Sequence, residues 1–567
     1  MKNYGHDSRR RLSPRERQLL YERAGGRCQR CGVELGPAYQ NAHLAASRNG
    51  GATEVENMQA WCARCNLGLG GVDADSVPDL TLRDWQCEAL HTISETLFQH
   101  GFATLHAAPG AGKTRFAGIV FRTLRDAGYV ERMVVVVPNK ALVRQWRKEL
   151  ALLRIHLDSE PRNGAIEHPG KVGAIVSYQS LPGAAPLHEL QQGRSRTLVV
   201  LDEVHHVATD ASWGLAVRSM IGDVTGNDLR AEAVLNMTGT LFRSSPKRRI
   251  STVRYERVET GGVPKLQAVA DYSVSARELI PEHLRPPDLY AYGGRARFVD
   301  VVAQREVHAD IADLEEAPRN SVLLQACSSE EWLRGFAAEA VRLLENQLWA
   351  IDYAEPLKLL FVAPTQEAAR SAALVLNRVT GRNFARLVTS DEPGALRTLQ
   401  LAAQENRSCG IVAVRMITEG FDCPQVSTIA YATNVTAPLF ISQMMARAMR
   451  LTTTERERKA PLPANILVPD HPVLREAFVA ALANTIPPTD DQESTEFVPK
   501  DLATPSSPRY ELLGLDAPWF SSATALEQPG RPVSPREVEV ATSICEIRYI
   551  PVVWAPRMAL GFRDWNG

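Results

Sequence analysis

Residues 107 to 114 read Ala-Ala-Pro-Gly-Ala-Gly-Lys-Thr, a glycine-bearing loop that ends in a lysine and a hydroxyl residue and runs into the helical stretch FAGIVFRTL. Such a loop turns successive backbone N–H groups, and the N-terminus of the helix behind it, onto phosphate oxygens. Pro109, Gly110, Ala111 and Gly112 would form the cradle, Lys113 would neutralise the β and γ charges, and the Thr114 hydroxyl would ligate Mg²⁺. A second string completes this chemistry. After Thr197, four adjacent apolar residues have the composition of a buried strand, and the chain continues Asp202-Glu203-Val204-His205-His206. At a strand end Asp202 suits Mg²⁺ held through water, and Glu203 suits polarisation of the attacking water. The two strings together predict ATP hydrolysis.

A different chemistry is written into the first seventy residues. Four of the nine cysteines form two C-x-x-C pairs, Cys28 with Cys31 and Cys62 with Cys65. Two such knuckles can enclose one tetrahedral structural Zn²⁺ and hold together a module too small for a substantial core. The remaining cysteines, at 87, 327, 409, 423 and 545, are scattered, which argues for ordinary thiols rather than a disulfide framework.

The elements that must carry the first site are legible as alternation. From Leu80, the strand-like runs ATLHAA, RMVVVVP, VGAIVSY, TLVVLDE and AVLNMTGT alternate with helical stretches such as NKALVRQWRKELALL. A second set follows from Leu357 in LKLLFVAP, FARLVTS, GIVAVR and VSTIAYATN. Alternation of this kind predicts parallel sheets covered by helices, with reactive loops at the carboxyl ends of the strands. The expected division is a zinc module at 1–72, a linker at 73–79, α/β domains at 80–245 and 351–485, a connector at 246–350, and a linker with a C-terminal segment at 486–567. The acidic, Pro/Ser-rich stretch after Pro488 predicts a linker, and VATSICEIRYIPVVWAP near the end predicts strand.

At 567 residues the chain is long enough for several domains, and its formal net charge of −1 gives no overall positive field. Nucleic-acid binding would have to come from local patches such as Arg9-Arg10-Arg11 or Lys247-Arg248-Arg249. No apolar run approaches a membrane span and the N-terminus lacks the apolar core of a secretory signal, so a cytoplasmic location without membrane partners is expected.

The order of these strings resembles the superfamily 2 helicases and translocases over about Leu80 to Ala483. The resemblance implies two tandem RecA-like domains, ATP with Mg²⁺, and DNA as partner, double-stranded with single-stranded DNA as the alternative. LRDWQCEAL is similar to the glutamine motif, which would set Gln86 on the adenine, and VVVVPNKALVRQW to the next motif, which would hold the DNA backbone. MTGTLFR resembles the motif that couples hydrolysis to DNA, with Thr238 and Thr240 in the hydroxyl positions, and His205 of the DEVHH box is the third coupling candidate. MITEGFDCP resembles motif five, which would bring Glu419, Gly420 and Asp422 near nucleotide and DNA. QMMARAMR resembles motif six. On a helix its Gln443, Arg447 and Arg450 share one face, and one arginine would serve as a finger on the γ-phosphate. The wider wording is similar to the motor subunits of restriction enzymes, and an RNA helicase is the less favoured reading.

Between the knuckles, NAHLAASRNGGATEVENMQAWCARCN resembles the HNH nuclease family. The resemblance implies a ββα-metal fold in which His43 activates water for attack on a phosphodiester and Asn57 helps hold a catalytic Mg²⁺ or Mn²⁺. Ala42 stands where many members carry an acidic or histidine ligand; His43 itself, Asn41 and Asn66 are the alternatives for that place. The combined expectation is an ATP-dependent DNA motor coupled to an endonuclease, acting in defence against foreign DNA. The alternative is a repair or remodelling ATPase whose zinc module only binds DNA.

Overall fold

A computed structural model describes residues 12–29, 34–35, 39–43, 54–61, 82–162, 167–207, 212–224, 228–241, 249–260, 262–351, 355–389, 391–392, 394–414, 423–483, 489–490, 509–525, 535–547, 552, 555 and 558–559. The chain divides into two units, residues 1–88 with 147–157 and residues 89–146 with 158–567.

In the first unit, α1 (Pro14–Arg23) starts where Ser13 and Pro14 place it. The Ser13 hydroxyl accepts from the Glu16 N–H, and the Glu16 carboxylate accepts from the Ser13 N–H at 2.8 Å, so the two ends of the first turn satisfy each other. Two short antiparallel strands follow, β1 (Gln40–His43) and β2 (Met58–Trp61), with His43 opposite Met58. Leu20, Cys28, Leu35, Tyr39, Met58 and Trp61 are buried together as a small core. The Gln29 N–H donates to the Ala60 carbonyl at 3.0 Å, and the Ala60 N–H donates to Gln29 Oε1 at 2.8 Å.

The helix α2 (Asp84–His100) leads into a six-stranded sheet. Its strands in chain order are β3 (Phe102–Ala107), β4 (Arg132–Val137), β5 (Gly173–Ser177), β6 (Thr197–Asp202), β7 (Ala233–Thr238) and β8 (Tyr272–Val274). They pair in the order β8-β3-β7-β6-β4-β5, every pair parallel. Strands β3, β4, β5, β6 and β7 are buried along their whole length, as strands covered on both faces require, and β3 and β7 bury Thr104, His106 and Asn236 among their apolar residues. The helices α3 (Lys113–Asp126) and α4 (Lys140–Leu152) follow β3 and β4 directly.

The second sheet departs from the expectation of a purely parallel one. Its parallel part comprises β9 (Pro287–Asp300), β11 (Lys358–Val362), β12 (Ala385–Val388), β13 (Gly410–Ala413), β14 (Val426–Tyr431) and β15 (Ala464–Pro469), where β10 (Arg305–Asp310) completes a hairpin with β9. The order is β10-β9-β15-β14-β11-β13-β12. A last strand, β16 (Tyr510–Ala525), runs antiparallel along β9. Thus β9, from the stretch expected as a connector, and β16, from the stretch expected as a linker, both belong to this sheet. The fourteen residues of β9 are long enough to pair with β15 through Pro287–Tyr292 and with β10 through Arg295–Asp300.

The strand expected near the C-terminus is instead, over its described part, the helix α8 (Pro535–Ile547). Val538, Ala541 and Cys545 recur at helical spacing and pack with Ala555 and Ala559, and that packing overrides the strand preference of the β-branched residues around them. The stretch EEWLRGFAAEAVRLLE lies in α5 (Glu330–Ala350), started by the Ser329 hydroxyl accepting from the Trp332 N–H.

Candidate active site

The first sheet delivers its polar residues to one end. The phosphate-loop candidate follows β3, and Gly110 and Gly112 stand at φ 87° and 96°, a conformation open to glycine at little cost. Gly112 caps α3, which makes Lys113 its first residue and Thr114 its second. The Lys113 ammonium is buried, donates to the Ala107 carbonyl at 3.0 Å and lies 3.6 Å from Glu203 Oε1. Pro109 and Ala111 complete the loop, with the Ala111 N–H turned back onto the Ala108 carbonyl.

Asp202 is the last residue of β6, and Glu203 takes a left-handed backbone at φ 50°, rare for a residue with a β-carbon. This turn brings Glu203 Oε2 to within 3.2 Å of Thr238 Oγ1 and 3.3 Å of the Gly239 N–H, both of which donate to it. His205 Nδ1 lies 3.0 Å from Thr238 Oγ1 and 3.2 Å from Thr240 Oγ1. Glu203, His205, Thr238 and Thr240, chosen from two distant strings, therefore form one hydrogen-bonded cluster across adjacent strands.

The two acids sit in opposite electrostatic settings. Burial, then the neighbouring Glu203 charge, pushes the Asp202 carboxyl up to about 7. Burial also works to raise Glu203, but Lys113 first and His205 next outweigh it and hold that carboxyl down at about 2. Glu203 is therefore ionised and able to accept a hydrogen bond from water. A cation beside Asp202 would favour its carboxylate form, which makes Asp202 with Thr114 the fitting pair for Mg²⁺.

The second sheet's α7 (Pro438–Ala448, with α6 at Gln366–Thr380 preceding it) carries Gln443 and the buried Arg447. The helix ends at Ala448, so Arg450 does not share its face as expected; it lies beyond the end, in a bridge with Leu284. Arg450 nonetheless reaches the phosphate loop, because a β-carbon on Gly110 would lie 3.6 Å from Arg450 Cγ and 3.1 Å from Leu284 Cδ2. Glu419, Gly420 and Asp422 lie outside the described residues. Gln86, in the first turn of α2, is buried, and its Oε1 accepts from the Arg83 N–H at 3.1 Å.

Two further features carry no recognisable string. Arg285 is fully buried and donates to both oxygens of Glu455, at 2.8 and 2.6 Å, and to the carbonyls of Val426 and Ala448. It thus ties the carboxyl end of α7 to β14. Trp146, quoted above only as the end of a motif, donates its indole N–H to Asp202 Oδ2 at 2.7 Å. A buried indole N–H needs an acceptor, but no sequence spacing points to which one.

Of the N-terminal candidates, Cys28 is described and buried, while Cys31, Cys62 and Cys65 lie outside the described residues. Among the described residues no group of three or more His, Cys, Asp or Glu could hold a metal ion. His43 ends β1 opposite Met58, and Asn57 immediately precedes β2, so the ribbon brings both to one end. Among the described residues no helix is long and apolar enough to cross a membrane.

Comparison with known proteins places the loop, the acids and the hydroxyl cluster in one segment. Residues 79–243 match the type III restriction enzyme res subunit family. The chain is 32% identical over 396 residues to the Mycobacterium tuberculosis protein Rv2917 and 31% identical over 400 residues to the Mycobacterium leprae protein ML1624, each match covering 69% of this chain. It spans 62% of the length of those relatives. A solved structure, the ATP-dependent type ISP restriction-modification enzyme LlaBIII bound to DNA, is similar at 15% identity with a TM-score of 0.43, over 71% of this chain and 30% of that one. At that score it adds nothing to the fold read from the strand order.

Proposed function

We propose that the protein is an ATP-driven DNA translocase or helicase joined to an N-terminal HNH endonuclease, and that it cleaves foreign DNA in a restriction-like defence. The observation that carries the motor half is the Lys113–Glu203–Thr238–His205 cluster at the ends of parallel strands, in a segment that matches a restriction-motor family. The loop N–H groups and Lys113 bind the phosphates, and Glu203 accepts a hydrogen bond from the attacking water and draws off its proton. Thr238 and the Gly239 N–H hold that carboxylate in place. Of the two arginine-finger candidates, Arg447 and Arg450, the approach of Arg450 to Gly110 supports Arg450 as the one that meets charge developing on the γ-phosphate. Mg²⁺, held by Thr114 and Asp202, would withdraw charge from the β- and γ-phosphate oxygens.

The nuclease half rests on sequence resemblance and on one feature of the fold. The Gln29–Ala60 hydrogen bonds join the chain one residue after Cys28 to the chain two residues before Cys62, which fits a Zn²⁺ shared by the two knuckles. Ala42 favours a second reading, in which the module binds DNA without cutting it.

Purified protein incubated with supercoiled and linear duplex DNA, in Mg²⁺ or Mn²⁺ and with or without ATP, separates the readings. The proposal expects cleavage that His43→Ala removes by roughly 10² to 10⁴-fold while ATP turnover is unchanged. Cleavage that survives His43→Ala overturns the nuclease assignment, and DNA binding without cleavage supports the second reading.

A further inference from the structure

Trp146 is buried in the middle of α4, and its only polar atom meets one oxygen of Asp202 at 2.7 Å. Tyr178, also buried, donates its hydroxyl to the Asp202 backbone carbonyl at 3.0 Å. The main chain and the side chain of this one acid are therefore both held from neighbouring elements. We infer that Trp146 is a positioning residue for the Mg²⁺-binding carboxylate, fixing its rotation so that α4 becomes a supporting part of the nucleotide site. The inference rests on the ATPase reading above.

The choice of side chain carries the argument. A lysine or arginine at this place would fix the carboxylate equally well, but its charge would neutralise Asp202 and repel a cation. The indole N–H is a neutral donor that cannot be protonated further and cannot ligate metal. It makes a charge-assisted hydrogen bond, which is short and strong, and leaves the acid's full negative charge available. A residue that packed without donating, such as phenylalanine, would leave the carboxylate free to rotate and its Oδ2 in need of another donor. Groups of this kind, which orient a metal ligand from behind, typically change metal affinity by 10- to 100-fold when removed.

The test measures binding rather than turnover. A fluorescent ATP analogue is titrated onto full-length protein in EDTA and at increasing Mg²⁺, for the unaltered chain and for Trp146→Phe. The Mg²⁺ concentration at half-maximal tightening should rise about tenfold or more in Trp146→Phe, with affinity in EDTA unchanged. In an Asp202→Asn background the same substitution should shift the midpoint no further, because its effect passes through Asp202. An unshifted midpoint, an equal loss of affinity in EDTA, or an additive shift on Asp202→Asn overturns the inference while leaving the ATPase reading intact. Failure of the unaltered protein to bind the analogue at all overturns the ATPase reading and this inference with it. Where Trp146→Phe fails to fold, benzothienylalanine at 146 replaces the N–H by sulfur at nearly the same volume, and the same outcomes apply.

Discussion

In the proposed nucleotide site Asp202 ends β6, Thr238 ends β7, and Lys113 begins the helix after β3, and each of these strands is buried along its length. Among the described residues the N-terminal module has two four-residue strands and a small core around Leu20, Cys28 and Trp61. The first arrangement holds its geometry by strand packing and register together with the hydrogen bonds to Asp202 and Glu203. The second buries only that small core among its described residues, and under the proposal its stability depends on metal ligation. A site on a sheet should therefore lose chemistry when a residue is changed yet keep its fold, whereas a metal-stapled site should lose both together.

The largest effect expected is in the module. Cys28→Ser should abolish bound zinc, measured as metal content per chain, and make the first seventy residues protease-sensitive, with ATP turnover intact. Zinc retained in full by that variant would break the comparison.

Glu203→Gln should lower ATP turnover by roughly 10² to 10⁴-fold, the range for loss of a catalytic base, while thermal unfolding stays close to that of the unaltered protein. Turnover within a few-fold of the original would remove Glu203 from the mechanism.

Why the two sites differ in legibility follows from the same physics. Strands β4 and β6 read directly from the sequence because strands buried on both faces are near-continuous apolar runs, and β3 and β7 read from their predominantly apolar composition despite Thr104, His106 and Asn236. The Glu203–Thr238 contact is not legible in the sequence, since the two residues are 35 apart and meet through parallel pairing of β6 with β7. Arg285 and Glu455, 170 residues apart, carry no motif; a buried charge pair is visible only once both are placed. β16 is not legible as a strand because YELLGL follows polar, proline-bearing sequence, and its partner β9 lies more than 200 residues earlier. The helix α8 is hidden for the opposite reason: its β-branched residues favour strand locally, and tertiary packing decides otherwise.

Glu455→Gln sharpens the comparison within the sheet-built unit, where loss of a packed charge should cost fold rather than chemistry. The pair with Arg285 is almost wholly buried, at 0% and 1% side-chain exposure, and removing one charge strands the other. The expected loss is about 3 to 5 kcal/mol in urea unfolding at neutral pH. Burial alone would raise the Glu455 carboxyl, but Arg285 outweighs it and holds it below its ordinary 4.5. The pair's contribution is thus complete above pH 4.5 and fades as pH falls through the lower folded value. The difference between Glu455→Gln and the unaltered protein should narrow over that acid range, and a pH-independent difference would assign the effect to packing.

The smallest effect expected lies at Gly239, between Thr238 and Thr240. A β-carbon there would stand 2.7 Å from Pro109 Cγ and 2.8 Å from Pro109 Cδ, so the hydroxyl cluster and the phosphate loop approach more closely than an alanine permits. Proline is rigid, and the contact cannot be relieved by rotating a flexible side chain. Gly239→Ala should therefore move the loop or the Gly239 N–H that donates to Glu203, lowering turnover up to about tenfold and destabilising the fold by roughly 1 kcal/mol, the low end for overpacking. Measured together, kcat and Tm discriminate sharply: a fall in kcat with little change in Tm locates the strain at Glu203, whereas the reverse would mean that the sheet yields and the site does not.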